Sequence, residues 1–441
     1  MIKKITGHST LRSLLLLLTL FSTLLVPRAL LANPPVIVIT SLSAEVSTYL
    51  QQQLTEQLPH LNLRFINKKT SAVLTHLEKN LYPRPDLVIV SALDAFDWLS
   101  QQDQLVKLNA TDRLTYTPFA YSGYGLMTNL SYLEAHQLPT PSEWDDILNP
   151  LYRNHIAMST PSRSGTTHII VETLLQERGW REGWQYMLRL AGNLSTITAR
   201  SFGVRQGVIN QRFGLGLTID FFAFTAQYSQ PNIHFIYPSP SAFLPVSAGL
   251  VKGGQQPVGA REVIHYLLSA HGQSMLLSPE LSRYPVDSGV LQKKPTHRLN
   301  HYSQQIGNTL DYDSRLAVKR YHLVNALFDE LITFRLDFMQ QSWASLYSIR
   351  EILNNNPNPE LEAFYQSIRD DLISIPFAEL RLGETTLLDN FTQVLPGAPL
   401  SAIQQSEMSE WRQWSREQQE RVTHNIATLK SQLEGASRGS F

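Results

Sequence analysis

Residues 35–90 read PVIVITSLSAEVSTYLQQQLTEQLPHLNLRFINKKTSAVLTHLEKNLYPRPDLVIV, three apolar runs separated by two stretches in which apolar residues recur at helical spacing. The first run, residues 36–39, is entirely β-branched, and the second, residues 61–66, alternates apolar and polar side chains as a half-exposed strand does. The third, residues 86–90, ends in the continuous apolar sequence of a buried parallel strand. This order predicts a βαβαβ unit and therefore an α/β fold.

Hydroxyl side chains follow two of these predicted strands directly. Thr40 and Ser41 come after the first strand, and Ser91 comes after the third. Ligands of open α/β sheets bind beyond the carboxyl ends of the strands, so these residues are candidate ligand contacts. Taken singly, each hydroxyl is better explained by the alternative that it only caps the following helix.

The composition is that of a globular protein large enough for more than one lobe or domain. The chain has 441 residues, of which 43% are hydrophobic and 17% charged. Lys plus Arg and Asp plus Glu both number 37, without a basic stripe, which argues against a nucleic-acid partner. The sequence contains no cysteine. Disulfides, thiolate metal sites and cysteine nucleophiles are therefore excluded, and a metal ion would need His, Tyr or carboxylate ligands.

Residues 1–32 are predicted to be a secretory signal peptide, which predicts a periplasmic location. Basic residues precede the apolar run 14–26, which is shorter than the ~20 residues that span a bilayer. Cleavage after Ala32 would remove four basic residues and no acid, so 33 basic and 37 acidic residues would remain, a formal charge of −4. A retained N-terminal anchor is the alternative.

Residues 141–168, PSEWDDILNPLYRNHIAMSTPSRSGTTH, are the most informative segment. They predict a helix capped by Ser142, a short strand and then a second helix that begins near residue 165. A helix N-terminus has unpaired N–H groups and a partial positive charge, so it suits a small anion. The candidate contacts there are Arg163, Ser164, Gly165, Thr166 and Thr167. The alternative is that Ser164 is only an N-cap and Arg163 is solvated.

Two more candidates lie farther along the α/β region. Residues 193–201 predict a loop that carries Arg200, a second basic group for an anion. Residues 214–220 predict a strand that ends in Asp220, a position where an acid is more often a ligand contact than a core residue.

These segments, in this order, resemble the solute-binding proteins of ATP-driven importers, in the subfamily of bacterial ferric-ion and phosphorylated-solute binders. The resemblance covers about residues 35–290 and is carried by residues 85–99, 141–168, 179–193, 213–223 and 245–276. It implies a monomeric receptor with the two-lobed type II periplasmic-binding-protein fold, which closes on a solute and delivers it to a membrane permease. It implies no catalytic residue, cofactor or chemical turnover.

The resemblance also implies a division of the chain. Residues 33–117 and 241–300 would form the first lobe, residues 118–240 the second lobe, and residues 301–441 an added extension. The extension is predicted to be all-helical, because its apolar residues keep helical spacing between residues with turn signals. The favoured interpretation is that it packs on the first lobe; the alternative is that it offers a surface to a partner.

The solute expected from these residues is a small anionic organophosphate, such as phosphoglycerate or a sugar phosphate. In the resembled family, members that carry ferric ion have adjacent tyrosines where Phe221 and Phe222 stand here, and phenylalanine cannot ligate a metal. The hydroxyl-rich helix start suits a phosphate instead. The whole-chain layout most resembles a regulatory member that acts with a membrane sensor kinase to induce a phosphoglycerate transporter, so the sensor's periplasmic domain is a second candidate partner.

The sequence leaves two alternative functions open. A ferric-ion transport receptor would share the fold. An extracytoplasmic hydrolase would share the α/β pattern, but the chain has no G-x-S-x-G nucleophile elbow, and residues 162–165 read SRSG.

Overall fold

The computed structural model describes residues 34–293, 312–377, 385–392 and 400–438. The predicted signal peptide and its cleavage site lie outside these ranges. Within the ranges, no helix combines the length and the apolar character that a membrane span requires.

The described residues form eleven strands, sixteen α-helices and short 3-10 segments. The strands are β1 Val36–Thr40, β2 Leu63–Asn67, β3 Leu87–Val90, β4 Leu105–Val106, β5 Thr117–Asn129, β6 Ile156–Ser159, β7 Leu194–Thr198, β8 Leu215–Ile219, β9 Ile233–Ile236, β10 Phe243–Val251 and β11 Tyr284–Pro285. The helices are α1 Ala44–Gln57, α2 Thr70–Glu78, α3 Leu93–Gln101, α4 Leu130–Ala135, α5 Gly165–Arg178, α6 Trp180–Ala191, α7 Ser201–Ile209, α8 Asp220–Gln227, α9 Pro257–Leu268, α10 Ala270–Met275, α11 Ser288–Lys293, α12 Ser314–Leu331, α13 Leu336–Asn355, α14 Pro359–Leu372, α15 Thr385–Thr392 and α16 Ala402–Arg438.

The first lobe is built on the predicted βαβαβ unit. β1 lies between β2 and β3 and is parallel to both, while β10 joins this unit antiparallel to β3. Every residue of β1 and β3 is buried, as expected for parallel strands that are covered by helices on both faces. The predicted βαβαβ arrangement is therefore confirmed.

The long strand β5 joins the two lobes. Its first half pairs with β10 as far as Gly123, and its second half pairs with β8 from Tyr124 onward. In the second lobe β6 lies between β7 and β8 and is parallel to both, and β9 pairs with the end of β5. The chain thus has the predicted two-lobed α/β fold, whereas the predicted residue bounds of the lobes stay a prediction.

Two local predictions in the second lobe are wrong. Ser142 does not cap a helix; its N–H and Oγ–H both donate to Asp146 Oδ2, at 2.7 and 3.0 Å, and only 3-10 segments follow. The Asp146 carboxylate competes for backbone donors that a helix would need. Residues 193–201 are not a loop throughout, because β7 forms there as a partner of β6.

The described residues of the C-terminal extension are mostly helical, as predicted, and their first two helices are the pair α12 and α13. It packs on both lobes, with most of its polar contacts on the second, so the favoured packing on the first lobe describes only part of its surface. Trp343 of α13 lies against Gly192 and donates its Nε1–H to Leu188 O at 3.0 Å. Periodicity identified an apolar face of the extension but carries no information about the surface that this face covers.

Helix α12 contacts both lobes. It packs against α5 of the second lobe and against α3 of the first. Its Arg320 forms a buried ion pair with Glu172 of α5, with a shortest N–O distance of 2.7 Å, and Asn325 is hydrogen-bonded to His168 at 3.0 Å. The extension is therefore anchored by buried polar contacts in addition to apolar packing.

Candidate functional site

A cavity of about 60 Å³ lies between the two lobes. The turns after β1, β2 and β3 form its first-lobe wall, and the first residues of α5, α7 and α8, with those just before them, form its second-lobe wall. This volume has room for about four or five water-sized groups. It is therefore large enough for a compact tetrahedral oxyanion.

The start of α5 contributes the part of the wall predicted from the sequence. Ser164 is the N-cap, and its Oγ accepts hydrogen bonds from the N–H of Thr167 at 3.3 Å and from the Thr167 hydroxyl at 3.2 Å. Ser164 therefore does cap the helix, as the alternative interpretation predicts. Ser164, Gly165 and Thr166 also line the cavity, so the free N–H groups of the first helical turn lie at its edge.

Two arginines of the second lobe line the cavity. Arg163 ends the short turn before α5, and Arg200 directly precedes α7. The Arg200 guanidinium lies 4.7 Å from the centroid of the Phe202 ring, and burial lowers the pKa of Arg200. Neither arginine has an ion-pair partner among the described residues. The second-lobe wall therefore carries positive charge that is not neutralised by a neighbouring carboxylate there.

The first-lobe wall contains two of the predicted hydroxyls, Ser41 and Ser91. It also contains two residues that the sequence reasoning missed, Ser43 and Thr70; a third, Tyr124, lines the cavity from β5, the strand that joins the lobes. Thr70 begins the helix after β2, at the same edge of the sheet as the hydroxyls after β1 and β3. The strand-end rule that selected Ser41 and Ser91 would also have selected this third turn.

Gly165 allows the two lobes to approach each other at the cavity. A Cβ atom at Gly165 would lie 3.3 Å from the Ala92 Cβ and 3.3 Å from the Thr70 Oγ1, both in the first lobe. Such distances are shorter than ordinary van der Waals contact. A larger residue at this position would press the start of α5 against the first lobe.

Three predicted site residues do not line the cavity. Thr40 is fully buried, and its Oγ1 accepts a hydrogen bond from the N–H of Leu42 at 3.1 Å. Thr167 is also fully buried, and its hydroxyl is bonded to Ser159 and Ser164. The third, Asp220, lies behind the cavity wall. At each position the side chain points into the core, where protein groups satisfy its polar atoms.

Asp220 lies instead in a buried polar cluster where β5 passes between the lobes. Its carboxylate accepts hydrogen bonds from the N–H groups of Gly123 and Phe221, at 2.6 and 2.7 Å, and from the Tyr237 hydroxyl at 2.8 Å. Burial raises the pKa of Asp220 to about 7, although these bonds and the Arg283 cation favour the ionised form. The side chain is therefore placed to hold the crossover strand.

Phe221 and Phe222 follow Asp220 at the start of α8 and line the cavity. Their rings lie 4.6 Å apart between centroids and are tilted by 55°. Arg283 of the first lobe stacks on Phe221, with 3.9 Å between the guanidinium and the ring centroid. Phe221 and Phe222 thus form an apolar part of the cavity wall that contacts a cation and offers no oxygen ligand to a metal.

A family model described as bacterial extracellular solute-binding protein matches residues 90–306. The phosphoglycerate transport regulatory protein PgtC of Salmonella typhimurium is 30% identical over 402 residues, which cover 89% of this chain and 96% of the relative. The similarity thus extends through both lobes and into the helical extension.

Solved structures share the fold at lower identity. The periplasmic binding protein AfuA from Actinobacillus pleuropneumoniae, described with exogenous fructose-6-phosphate bound, superposes with a TM-score of 0.59 at 15% identity, over 67% of this chain and 98% of AfuA. The ferric binding protein from Campylobacter jejuni gives a TM-score of 0.52 at 10% identity, over 66% of this chain and 99% of that protein.

Proposed function

Because the chain belongs to the family of bacterial extracellular solute-binding proteins, we propose that it is a periplasmic receptor for a small organophosphate. The observation that carries the proposal is the interlobe cavity, where the N-terminus of α5 and the unpaired Arg163 and Arg200 lie together. Free N–H groups, hydroxyls and guanidinium groups are the donors that a phosphate needs. The receptor would close on the solute and release it without chemical change.

The proposed ligand is a phosphoglycerate or a sugar phosphate. The name of the relative PgtC refers to phosphoglycerate transport, and AfuA is described with fructose-6-phosphate. The cavity volume of about 60 Å³ matches the phosphate end of such a molecule, so that the carbon skeleton would extend toward the cavity mouth. A predicted signal peptide over residues 1–32 would deliver the receptor to the periplasm.

The proposed task of the bound receptor is uptake, induction of a transporter, or both. A membrane permease would receive the solute in uptake, and the periplasmic domain of a sensor kinase would read the bound state in induction. The similarity to PgtC, whose name includes transport regulation, covers 89% of this chain and so reaches into the helical extension. This coverage supports the periplasmic domain of a sensor kinase as a partner.

A ferric-ion receptor is the second candidate, because ferric-binding proteins share the fold. The residues that line the cavity argue against a ferric-ion site. Phe221 and Phe222 stand in the cavity where phenolate or carboxylate oxygens would be needed. Among the described residues, the ionisable ones that line it are the cations Arg163 and Arg200 and the phenol Tyr124. A trivalent cation would meet positive charge without the anionic ligands that stabilise it.

Calorimetric titration of the purified protein tests the ligand class. We expect micromolar or tighter binding of phosphoglycerate or a sugar phosphate and no binding of ferric ion. A ferric complex with visible absorbance, together with no response to phosphate esters, would overturn the proposal.

Thr166 gives the sharpest test of the site, since Ser164 also caps the helix and its loss would change stability as well. Thr166→Val removes one hydroxyl donor and keeps the shape of the side chain. If that hydroxyl binds a charged ligand, affinity falls by ~1.5 to 3 kcal/mol. The matched Thr166→Ser variant keeps the hydroxyl and should bind like the wild type. Equal affinity in all three proteins would place the site elsewhere.

A further inference from the structure

A second cavity of about 250 Å³ adjoins the interlobe cavity. The two cavities share Ser43, Phe221 and Phe222 as lining residues, so they are neighbours at these side chains. Both lobes contribute to the second cavity. It is therefore suited to a part of the ligand that extends beyond the proposed phosphate site.

Arg205 is the basic residue of this second cavity. It lies four residues after Ser201, which lines the first cavity, and both belong to α7. Residues four apart lie on one face of a helix, about 6 Å apart along its axis. This offset is comparable with the length of a three-carbon acid phosphate from its phosphate to its carboxylate.

The donors of Arg205 are only partly used. Its Nη1 contacts Glu45 Oε2 of the first lobe at 3.4 Å, and the Glu45 side chain is 80% exposed. The Arg205 Nε is buried and has no hydrogen-bond partner in the part of the chain that the structure describes. A buried donor without an acceptor is costly, so a ligand oxygen that reached it would be favoured.

We infer that Arg205 binds the carboxylate of a ligand whose phosphate lies at the start of α5, and that the protein thereby selects phosphorylated short-chain acids over the corresponding alcohols. This inference rests on the proposed function. The acid binds the Nε and the Nη2 of Arg205, whose parallel N–H groups form a planar fork that matches a carboxylate. The Glu45 carboxylate contacts Nη1 beside this fork, and its negative charge opposes that of the ligand acid.

The charges around the second cavity indicate which end of the ligand binds there. Glu45 and Glu280 both line it. A phosphate dianion would face two carboxylates there, whereas a singly charged carboxylate meets less repulsion. The phosphate therefore belongs in the first cavity, where the two arginines lie, and the carboxylate belongs beside Arg205.

Two ligands of similar size test the inference on the full-length protein. In 3-phosphoglycerate a carboxylate stands where glycerol 3-phosphate has a hydroxymethyl group. For Arg205→Gln we expect at least a tenfold loss of 3-phosphoglycerate affinity in calorimetry and little change for glycerol 3-phosphate. Arg212→Gln, an exposed arginine of the same lobe, is the matched control and should leave both affinities unchanged.

Glu45→Gln gives an independent measurement that does not depend on the folding of the arginine variant. Removal of the repelling carboxylate should raise the affinity for 3-phosphoglycerate and leave that for glycerol 3-phosphate unchanged. Equal losses for both ligands in Arg205→Gln would overturn the inference, because they would mean that the arginine only holds the lobes together. A wild-type protein that binds neither ester would instead overturn the proposed function.

Discussion

At the scale of single residues, Gly165 sets how closely the lobes approach. Gly165→Ala would place a methyl group 3.3 Å from both Ala92 and Thr70. Overpacking of this kind costs ~1 to 3 kcal/mol, and the cost applies only when the lobes are closed. We therefore expect ligand affinity to fall by about tenfold or more, with a smaller effect on the melting temperature.

Gly435→Ala is the matched control for this substitution. Gly435 lies in α16, and a Cβ atom there would have no neighbour within 4 Å. Ligand affinity should be unchanged in this variant. A Gly165→Ala protein that binds like the wild type would mean that the observed approach of the lobes is not required for binding.

The Asp220 carboxyl makes the stability of the fold depend on pH. Burial raises its pKa from 3.8 to about 7, so between these values the native protein holds a proton that the unfolded chain releases. Stability from this group is therefore present below pH 4 and is lost as the pH rises toward 7. A shift of about three pH units corresponds to on the order of 4 kcal/mol.

Asp220→Asn should remove this pH dependence, which urea unfolding at pH 5 and pH 8 would measure. Asp146→Asn is the control. Hydrogen bonds from the N–H groups of Ser142 and Glu143 lower the pKa of Asp146 from 3.8, so its contribution is lost only at more acidic pH and this variant should keep the difference between pH 5 and pH 8. An unchanged slope in Asp220→Asn would contradict the assignment.

At the scale of secondary-structure elements, the buried pair of Arg320 in α12 and Glu172 in α5 holds the extension on the second lobe. Both Arg320→Met and Glu172→Gln leave a buried charged group without its ionic partner, and removal of one partner of a buried pair costs ~3 to 5 kcal/mol. We expect the larger loss of unfolding free energy for Arg320→Met, because the amide oxygen introduced by Glu172→Gln can still accept a hydrogen bond from Arg320, whereas Arg320→Met removes this donor from Glu172 altogether.

The exposed pair of Arg350 and Glu362 is the control for this prediction. It has similar geometry, with an N–O distance of 2.7 Å, but both side chains are about one third exposed. Arg350→Met should cost no more than about 1 kcal/mol in urea unfolding. Similar losses for both arginine variants would show that burial does not control the strength of these pairs.

The elements of this fold differ in how well the sequence predicts them. β1, β3 and α5 have clear local signals: β-branched apolar runs, and a serine cap before a helix. β7 has a weaker signal, because its pairing with β6 comes from a distant segment. Local sequence patterns contain no information on such tertiary pairing.

The residues of the candidate site also differ in how well the sequence predicts them. The position after a strand correctly placed Ser41 and Ser91 on the cavity wall but also selected Thr40, whose side chain points into the core. Successive side chains of a strand point to opposite faces, so the strand-end rule selects a region and not an orientation. The contribution of Tyr124 was not predictable in this way, since it comes from the middle of β5.

At the scale of the whole molecule, helix α12 of the extension contacts both lobes next to the candidate site. Asp329 of α12 accepts hydrogen bonds from Thr160, just before the Pro161–Arg163 turn, and from Thr333, at 2.7 and 2.8 Å. The same helix packs on α3 of the first lobe. A change in the angle between the lobes therefore has to move α12 relative to at least one of them.

The last described helix, α16, is separated from the candidate site by other helices of the extension. It packs on α12, α13, α14 and α15, and its Trp411 stacks on Phe391 with 5.3 Å between ring centroids. A chain that ends at residue 399 should therefore bind ligand with unchanged affinity but melt at a lower temperature. If the extension contacts a sensor, this chain should also fail to induce the transporter in cells.

A full-length variant separates loss of a partner surface from loss of stability. Arg416 and Glu420 are exposed on α16, so the double substitution Arg416→Glu and Glu420→Arg reverses the local charge pattern without disturbing the buried face. We expect normal melting and normal ligand binding, because surface substitutions away from buried contacts have small effects on stability. A reporter of transporter induction should nevertheless lose its response to ligand, since complementary charges guide recognition between partners. Full induction in this variant, together with loss of ligand binding in the shortened chain, would mean that α16 serves only to stabilise the fold.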